Sequence, residues 1–268
     1  MAKLVLAATF LVLSSMVGAK PIDTPLEPPS DADKSGNVLR GEWDSQQIPK
    51  GGGQYTLYNN LWGSRKPGTT GSQITEMLLY RQAEKSISWK TQYNWQGNPN
   101  DVKSYANVAL ENGIRKKVSS ISSIPTTWSW KYDSASNPLT ADVSYDLWLS
   151  RDPKSAPSSS SSTVEVMVWL SNRHAGPAGS QITTIKVGGL QWQLFKGRVG
   201  TWDVYSFVAT NELKNYHADL LHFLDVLRTL PKNGVDLREQ YLVALQAGTE
   251  PFHGSATLTT SAYTVAIN

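Results

Sequence analysis

The chain has 268 residues, 40% of them hydrophobic and 18% charged, with a formal net charge of +3. That length could hold one large β domain or two smaller ones, and the balance suits a globular protein with a sizeable core. The charge is mild and the longest basic run, Arg115-Lys116-Lys117, reads as a solvated strand end, so no nucleic-acid surface is expected.

Lys3 followed by the apolar stretch Leu4 to Val17 and the small residues Val17-Gly18-Ala19 reads as a signal peptide over residues 1–19. No later apolar run approaches membrane-spanning length, so the mature protein is expected to be secreted, soluble and free of the membrane. Residues 20–38 are rich in Pro, Asp and Ser and read as a flexible leader or pro-segment. Cysteine is absent, so no disulfide can form, and no Asn-x-Ser/Thr sequon occurs.

From Leu39 onward, short apolar or alternating runs are separated by Gly, Asn, Ser and Pro. Strands are predicted at 55–61, 77–80, 87–95, 118–124, 127–132, 141–149, 163–170, 190–195, 202–209, 241–247 and 256–267. So many strands without intervening helices predict an all-β, jelly-roll-like sandwich, with 39–268 as one domain. The one predicted helix covers 215–229, where Leu220, Phe223, Leu224 and Leu227 make an apolar stripe that ends before Pro231 and Gly234. Ser158 to Ser162 reads as a solvent loop.

The chemistry lies on the strands. Alternation puts Glu165, Met167 and Trp169 on one face, with Val164, Val166, Val168 and Leu170 on the other. In the strand before Glu250, Val243, Leu245 and Ala247 are assigned to the core side and Ala244, Gln246 and Glu250 to the opposite face. Asp146 and Trp148 likewise oppose Val143, Tyr145, Leu147 and Leu149. Each acid, taken alone, fits a solvated strand position as well as a groove. Two facing carboxylates, one ionised and one protonated, are the minimum machinery for glycosidic cleavage, and spacing does not say which is which. Ten Trp and eleven Tyr offer rings on which sugar faces can stack, although many such rings are simply core.

The strings Tyr55-Thr-Leu-Tyr-Asn-Asn-Leu-Trp62-Gly63, Val102-Lys-Ser-Tyr-Ala-Asn-Val108, Ile121-Ser-Ser-Ile-Pro-Thr-Thr127 and Asp142-Val-Ser-Tyr-Asp146 resemble glycoside hydrolase family 12 endoglucanases. So do Glu165-Val-Met-Val-Trp-Leu170, Gly176-Pro177-Ala-Gly179, Val204-Tyr-Ser-Phe-Val-Ala209 and Gly248-Thr-Glu-Pro-Phe252. The resemblance runs in order from about Gly41 to Asn268. It implies a jelly roll of two curved antiparallel sheets with an open cleft on the concave face, cleaving internal β-1,4-glucosidic bonds with retention.

By motif position Glu165 matches the nucleophile, Glu250 the acid/base, and Asp146 the acid that hydrogen-bonds the nucleophile. Asn60, Trp62, Met167 and Trp169 match sugar-lining positions, Pro177 a loop bridging the cleft, and Phe252 a flank of the acid/base subsite. No metal or cofactor is implied; the expected partner is a β-glucan, bound by a monomer. This chain departs from the pattern at Arg40 and Ile74, where relatives often carry a disulfide, and at Val199, where Asn is common. His174, in a divergent stretch, is given no catalytic role. Two other readings stand beside the hydrolase: a non-catalytic glucan-binding or decoy protein on the same fold, and a related jelly-roll xylanase, whose Tyr-rich nucleophile strand is missing here.

Overall fold

The computed structural model describes residues 32–34, 38–230 and 235–268. The expected signal peptide, most of the leader, and Pro231 and Gly234 lie outside the described residues. Among the described residues, seventeen strands numbered in chain order form two sheets, joined where Thr140 and Ala141 pair with His253 and Pro251.

One sheet holds β1 (Ala32–Lys34), β2 (Val38–Leu39), β5 (Thr70–Arg81), β6 (Ser86–Gln96), β9 (Pro125–Ala135), β15 (Asn215–Asp219) and β17 (Pro251–Val265). Its order runs from β1 and β2 through β5, β6, β17 and β9 to β15. The other holds β3 (Ser45–Ile48), β4 (Tyr55–Tyr58), β7 (Ala106–Leu110), β8 (Lys116–Lys117), β10 (Thr140–Ser150), β11 (Ser162–Arg173), β12 (Ser180–Val187), β13 (Leu190–Val199), β14 (Trp202–Ala209) and β16 (Tyr241–Thr249). Its order is β3-β4-β7-β16-β10-β11-β14-β13-β12, with β8 continuing the β7 edge of β16. All pairings are antiparallel except β11 with β14. The fold is the expected all-β jelly-roll sandwich.

Alternation builds the core between the sheets. Val164, Val166, Val168 and Leu170 of β11, and Val143, Tyr145, Leu147 and Leu149 of β10, all enter it. At its centre Trp128 meets Tyr145 edge-on at 4.9 Å and Tyr263 at 5.8 Å. Fully burying each large apolar side chain contributes roughly 1.5–3 kcal/mol, and that sum replaces a disulfide. Register shifts along β10 mark bulges in its two neighbours, Leu170 being an extra residue of β11 and Val243 that of β16, which bend the second sheet and leave one face concave.

One bulge corrects the reading of β16. Trp148 pairs with Ala244 but Leu149 pairs with Leu242, so Val243 is the extra residue. Leu242 therefore takes the core position expected of Val243, which packs instead with Trp148 and Ala244 on the groove side. Beyond the bulge the alternation resumes, with Leu245 and Ala247 in the core as expected.

The predicted helix is also shorter. Residues 215–219 form β15 against β9, from Asn215 opposite Ser129 to Asp219 opposite Pro125. Asp219 Oδ1 then accepts the N–H of Ile124 and of Leu221, ending the strand and opening helix α1 (Leu221–Thr229). The stripe Leu220, Phe223, Leu224 and Leu227 is buried as expected. The predicted strand at 118–124 is a 3₁₀ turn over Val118–Ser120 followed by irregular chain. Strands β3, β7 and β12 were not predicted: β7 is buried at every position, which erases alternation, and β12 is a Ser- and Thr-bearing edge. Within the expected leader, Ala32–Lys34 pairs with Leu79–Arg81.

Candidate active site

Strand β10 lies between β11 and β16, and so brings the two glutamates together. Asp146 pairs with Met167 on one side and Gln246 on the other, while Trp148 pairs with Glu165. Glu250 lies in the one-residue gap between β16 and β17. Its carbonyl accepts the Asp142 N–H at 3.1 Å, and its own N–H reaches Asp142 Oδ1 at 3.4 Å. Gly248, two residues earlier, lets β16 lie close against β7: a Cβ there would lie 2.1 Å from the Ala106 carbonyl oxygen.

Four carboxyls thus share the concave face: Asp142 at 0% exposure, Asp146 at 3%, Glu165 at 9%, and the partly exposed Glu250. None forms an ion pair among the described residues. Desolvation favours the protonated form of each. It pushes Glu165 up to about 7, against an opposing hydrogen bond from the Trp202 indole N–H to Oε2 at 2.9 Å. Glu250 is raised well above the usual range by desolvation and then by the negative charges of Asp142 and Glu165. Asp146 is raised by desolvation, then by Glu165 and Glu250, although Ser144 Oγ donates to its Oδ1 at 3.3 Å. Asp142 is raised by desolvation and by Asp146. Its Oδ2 is buried without a hydrogen-bond donor among the described residues, while its carboxyl lies against that of Glu250. A proton on Glu250 is stabilised by a hydrogen bond to the Asp142 carboxyl.

The expected sugar-lining residues separate into two groups. Met167, Trp169 and Phe252 are buried in one cluster with Ala175, Val204 and Val208, so they form a floor. Pro177 is partly exposed in the loop after β11. Asn60 and Trp62 lie between β4 and β5; Asn60 has left-handed backbone, φ 49°, and accepts the Tyr105 N–H at 2.9 Å. Trp62 is 43% exposed, with Lys66 Nζ 4.8 Å from its ring centre. Trp43, 66% exposed, lies on an adjoining segment tied on by the Leu61 N–H to the Glu42 carbonyl, 2.9 Å. No group of three His, Cys, Asp or Glu side chains suited to a metal occurs among the described residues.

Asp142, Trp202 and Trp43 were not singled out from the sequence. The alternation that picks Asp146 also places Asp142 on its face, so that signal was present. The contact of Trp202 with Glu165 comes through the parallel pairing of β11 with β14, which no local pattern reveals.

The model of glycosyl hydrolase family 12 matches residues 53–268. The xyloglucan-specific endo-beta-1,4-glucanase A of Emericella nidulans is 40% identical over 233 residues, spanning 85% of this chain and 90% of that protein. A protein of Phytophthora nicotianae named inactive glycoside hydrolase XLP1 is 41% identical over 221 residues, spanning 81% and 87%. Among solved structures, the family 12 endoglucanase 3 of Trichoderma harzianum superposes with a TM-score of 0.77 at 34% identity, covering 90% of this chain and all of that one. With its carboxyl-lined concave face and this match along most of its length, the chain belongs to glycosyl hydrolase family 12, a family of glycoside hydrolases.

Proposed function

We propose that the protein is a secreted endo-β-1,4-glucanase that hydrolyses β-glucan chains, xyloglucan foremost, by a retaining double displacement. The juxtaposition of Glu165, Asp146 and Glu250 across the central strands of the concave face carries this reading. Xyloglucan is placed first because the Emericella relative is named for it. The protein is taken to act outside the cell as a monomer, without metal or cofactor.

The two glutamates divide the work by their neighbours. Glu165 has an N–H donor on one oxygen, which favours the carboxylate, and attacks the anomeric carbon to form a glycosyl ester. Glu250 faces Asp142 and has no comparable donor, so it retains the proton and delivers it to the departing glycosidic oxygen. It then removes a proton from the water that cleaves the ester. Asp146, between the two, is held above the usual carboxylate range by desolvation and by the negative charges of Glu165 and Glu250, which suits the acid partner that the family pattern sets beside the nucleophile. The floor of Met167, Trp169 and Phe252 excludes water beneath the reacting sugar, and the exposed indoles of Trp62 and Trp43 offer stacking surfaces further along.

The test is reducing-sugar release from xyloglucan, mixed-linkage β-glucan and carboxymethylcellulose by the purified protein and by Glu165→Gln. The wild type is expected to be active, and the variant to lose at least ~10³-fold in turnover while keeping its fold. A non-catalytic glucan-binding protein is the second reading, favoured by the relative named inactive at 41% identity. Oligosaccharide binding by calorimetry with no product from any of the three polymers establishes that reading instead.

A further inference from the structure

Strands β13 and β14 are joined by a tight hairpin whose tip, Val199-Gly200-Thr201, is held on several sides. Arg198 pairs with Asp203, Nη1 to Oδ1 at 2.9 Å, and its Nη2 donates to the Thr201 carbonyl at 3.1 Å. Thr201 Oγ1 donates to the Ser160 carbonyl at 3.3 Å, so the serine-rich loop before β11 braces the hairpin. Gly200 turns with φ +53°, and a Cβ there would touch the Trp202 ring at 3.4 Å. The Trp202 indole meets Trp148 edge-on, with centroids 5.4 Å apart and planes at 67°. Trp148 is itself the cross-strand partner of Glu165. These contacts converge on one result: the indole N–H is aimed at Glu165 Oε2, 2.9 Å away.

We propose that Trp202 is a positioning residue for the nucleophile, its N–H holding Oε2 of Glu165 so that Oε1 faces the anomeric carbon. This rests on the reading of Glu165 as the nucleophile. A carboxylate with one oxygen tethered to a rigid indole cannot rotate freely about its last side-chain bond, so fewer orientations compete with attack. The bond also favours the ionised form, in a place where desolvation opposes it. The other titratable groups facing Glu165 are Asp146 from β10 and Glu250 from the β16–β17 junction, both acids. Arg198 is engaged with Asp203 at the hairpin. Trp202 is thus the hydrogen-bond donor by which β14 counters the acidic cluster.

The experiment is Trp202→Phe in the full-length protein, with pH profiles of kcat and KM on soluble glucan and with the rate of labelling by a 2-deoxy-2-fluoro cellobiosyl fluoride. An aromatic ring is kept, smaller than the indole, and the N–H donor is lost. The expected result is a fall of about 10-fold in kcat, with KM changed by less than about 3-fold and labelling slowed in parallel. The acidic limb of kcat/KM should move to higher pH, by roughly half to one unit, because the carboxylate has lost its donor. An unmoved acidic limb with kcat within about 2-fold of wild type overturns the proposal. Should Trp202→Phe fold poorly, replacement by benzothienylalanine, which exchanges the N–H for sulfur at constant shape, is judged by the same criteria. Glu165→Gln in the same series separates the two ideas. Full activity in Glu165→Gln removes the nucleophile reading; an inactive Glu165→Gln beside an unaffected Trp202→Phe removes only the role of Trp202.

Discussion

Glu165 and Glu250 are the same side chain on one concave face, yet their surroundings are opposite in kind. Glu165 sits mid-strand, between a Trp202 N–H donor and the acid Asp146. Glu250 sits in a strand junction against Asp142, a buried carboxyl with one oxygen lacking any donor among the described residues. A donor stabilises a negative charge, and a neighbouring carboxyl stabilises a proton. The proposed division of roles follows from these neighbours, and each neighbour is a handle on one half of the reaction.

The largest expected effects come from removing the glutamates themselves. Glu165→Ala and Glu250→Ala should each lose at least ~10³-fold on polymeric glucan. With an activated aryl cellobioside and azide they should part company. Glu250→Ala still forms the glycosyl ester, because a good leaving group needs no acid, and should yield the azide with retained configuration. Glu165→Ala has no ester to form and should yield the inverted azide. The same anomer from both variants breaks the comparison.

A stability effect of intermediate size should follow from Gly248→Ala. The added Cβ has no room beneath the Ala106 carbonyl, so the strand carrying Glu250 must shift, at a cost of about 2–4 kcal/mol in thermal unfolding. A Tm within about 1 °C of wild type contradicts the close approach.

Protonation gives a further contrast. All four clustered acids bind protons more tightly folded than unfolded, so the unfolded chain holds fewer protons between their two ranges, and stability falls as pH rises there. For Glu165 the window runs from the ordinary carboxylate range, near 4.5, to about 7. The Tm should accordingly be roughly 5 °C higher at pH 5 than at pH 8. Asp142→Asn, which removes one member without removing its shape, should narrow that gap, the smallest of these effects. An unchanged gap means that Asp142 does not interact with the other three acids.

Much of this arrangement was legible in the residues. A period of two on β10 and β11 separates core from groove without error, because the inner faces carry only aliphatic side chains and Tyr145. The same logic misplaced Val243, since a bulge adds a residue without leaving a local mark. It merged β15 into the helix, because Tyr216 and Ala218 continue an apolar pattern that tolerates either period. Asp142 was within reach of the alternation argument. Trp202 was not, because its partner is 37 residues away across a parallel pairing. Local periodicity fixes the face of a side chain, whereas the neighbours that set its protonation come from sheet order.

The most direct measurement is to trap the glycosyl-enzyme with a 2-deoxy-2-fluoro cellobiosyl fluoride and map the labelled peptide by mass spectrometry. One fluorocellobiosyl group per chain is expected, attached to Glu165 in the β11 peptide. A label on Glu250, or steady-state hydrolysis giving the inverted anomer with no adduct at all, contradicts it.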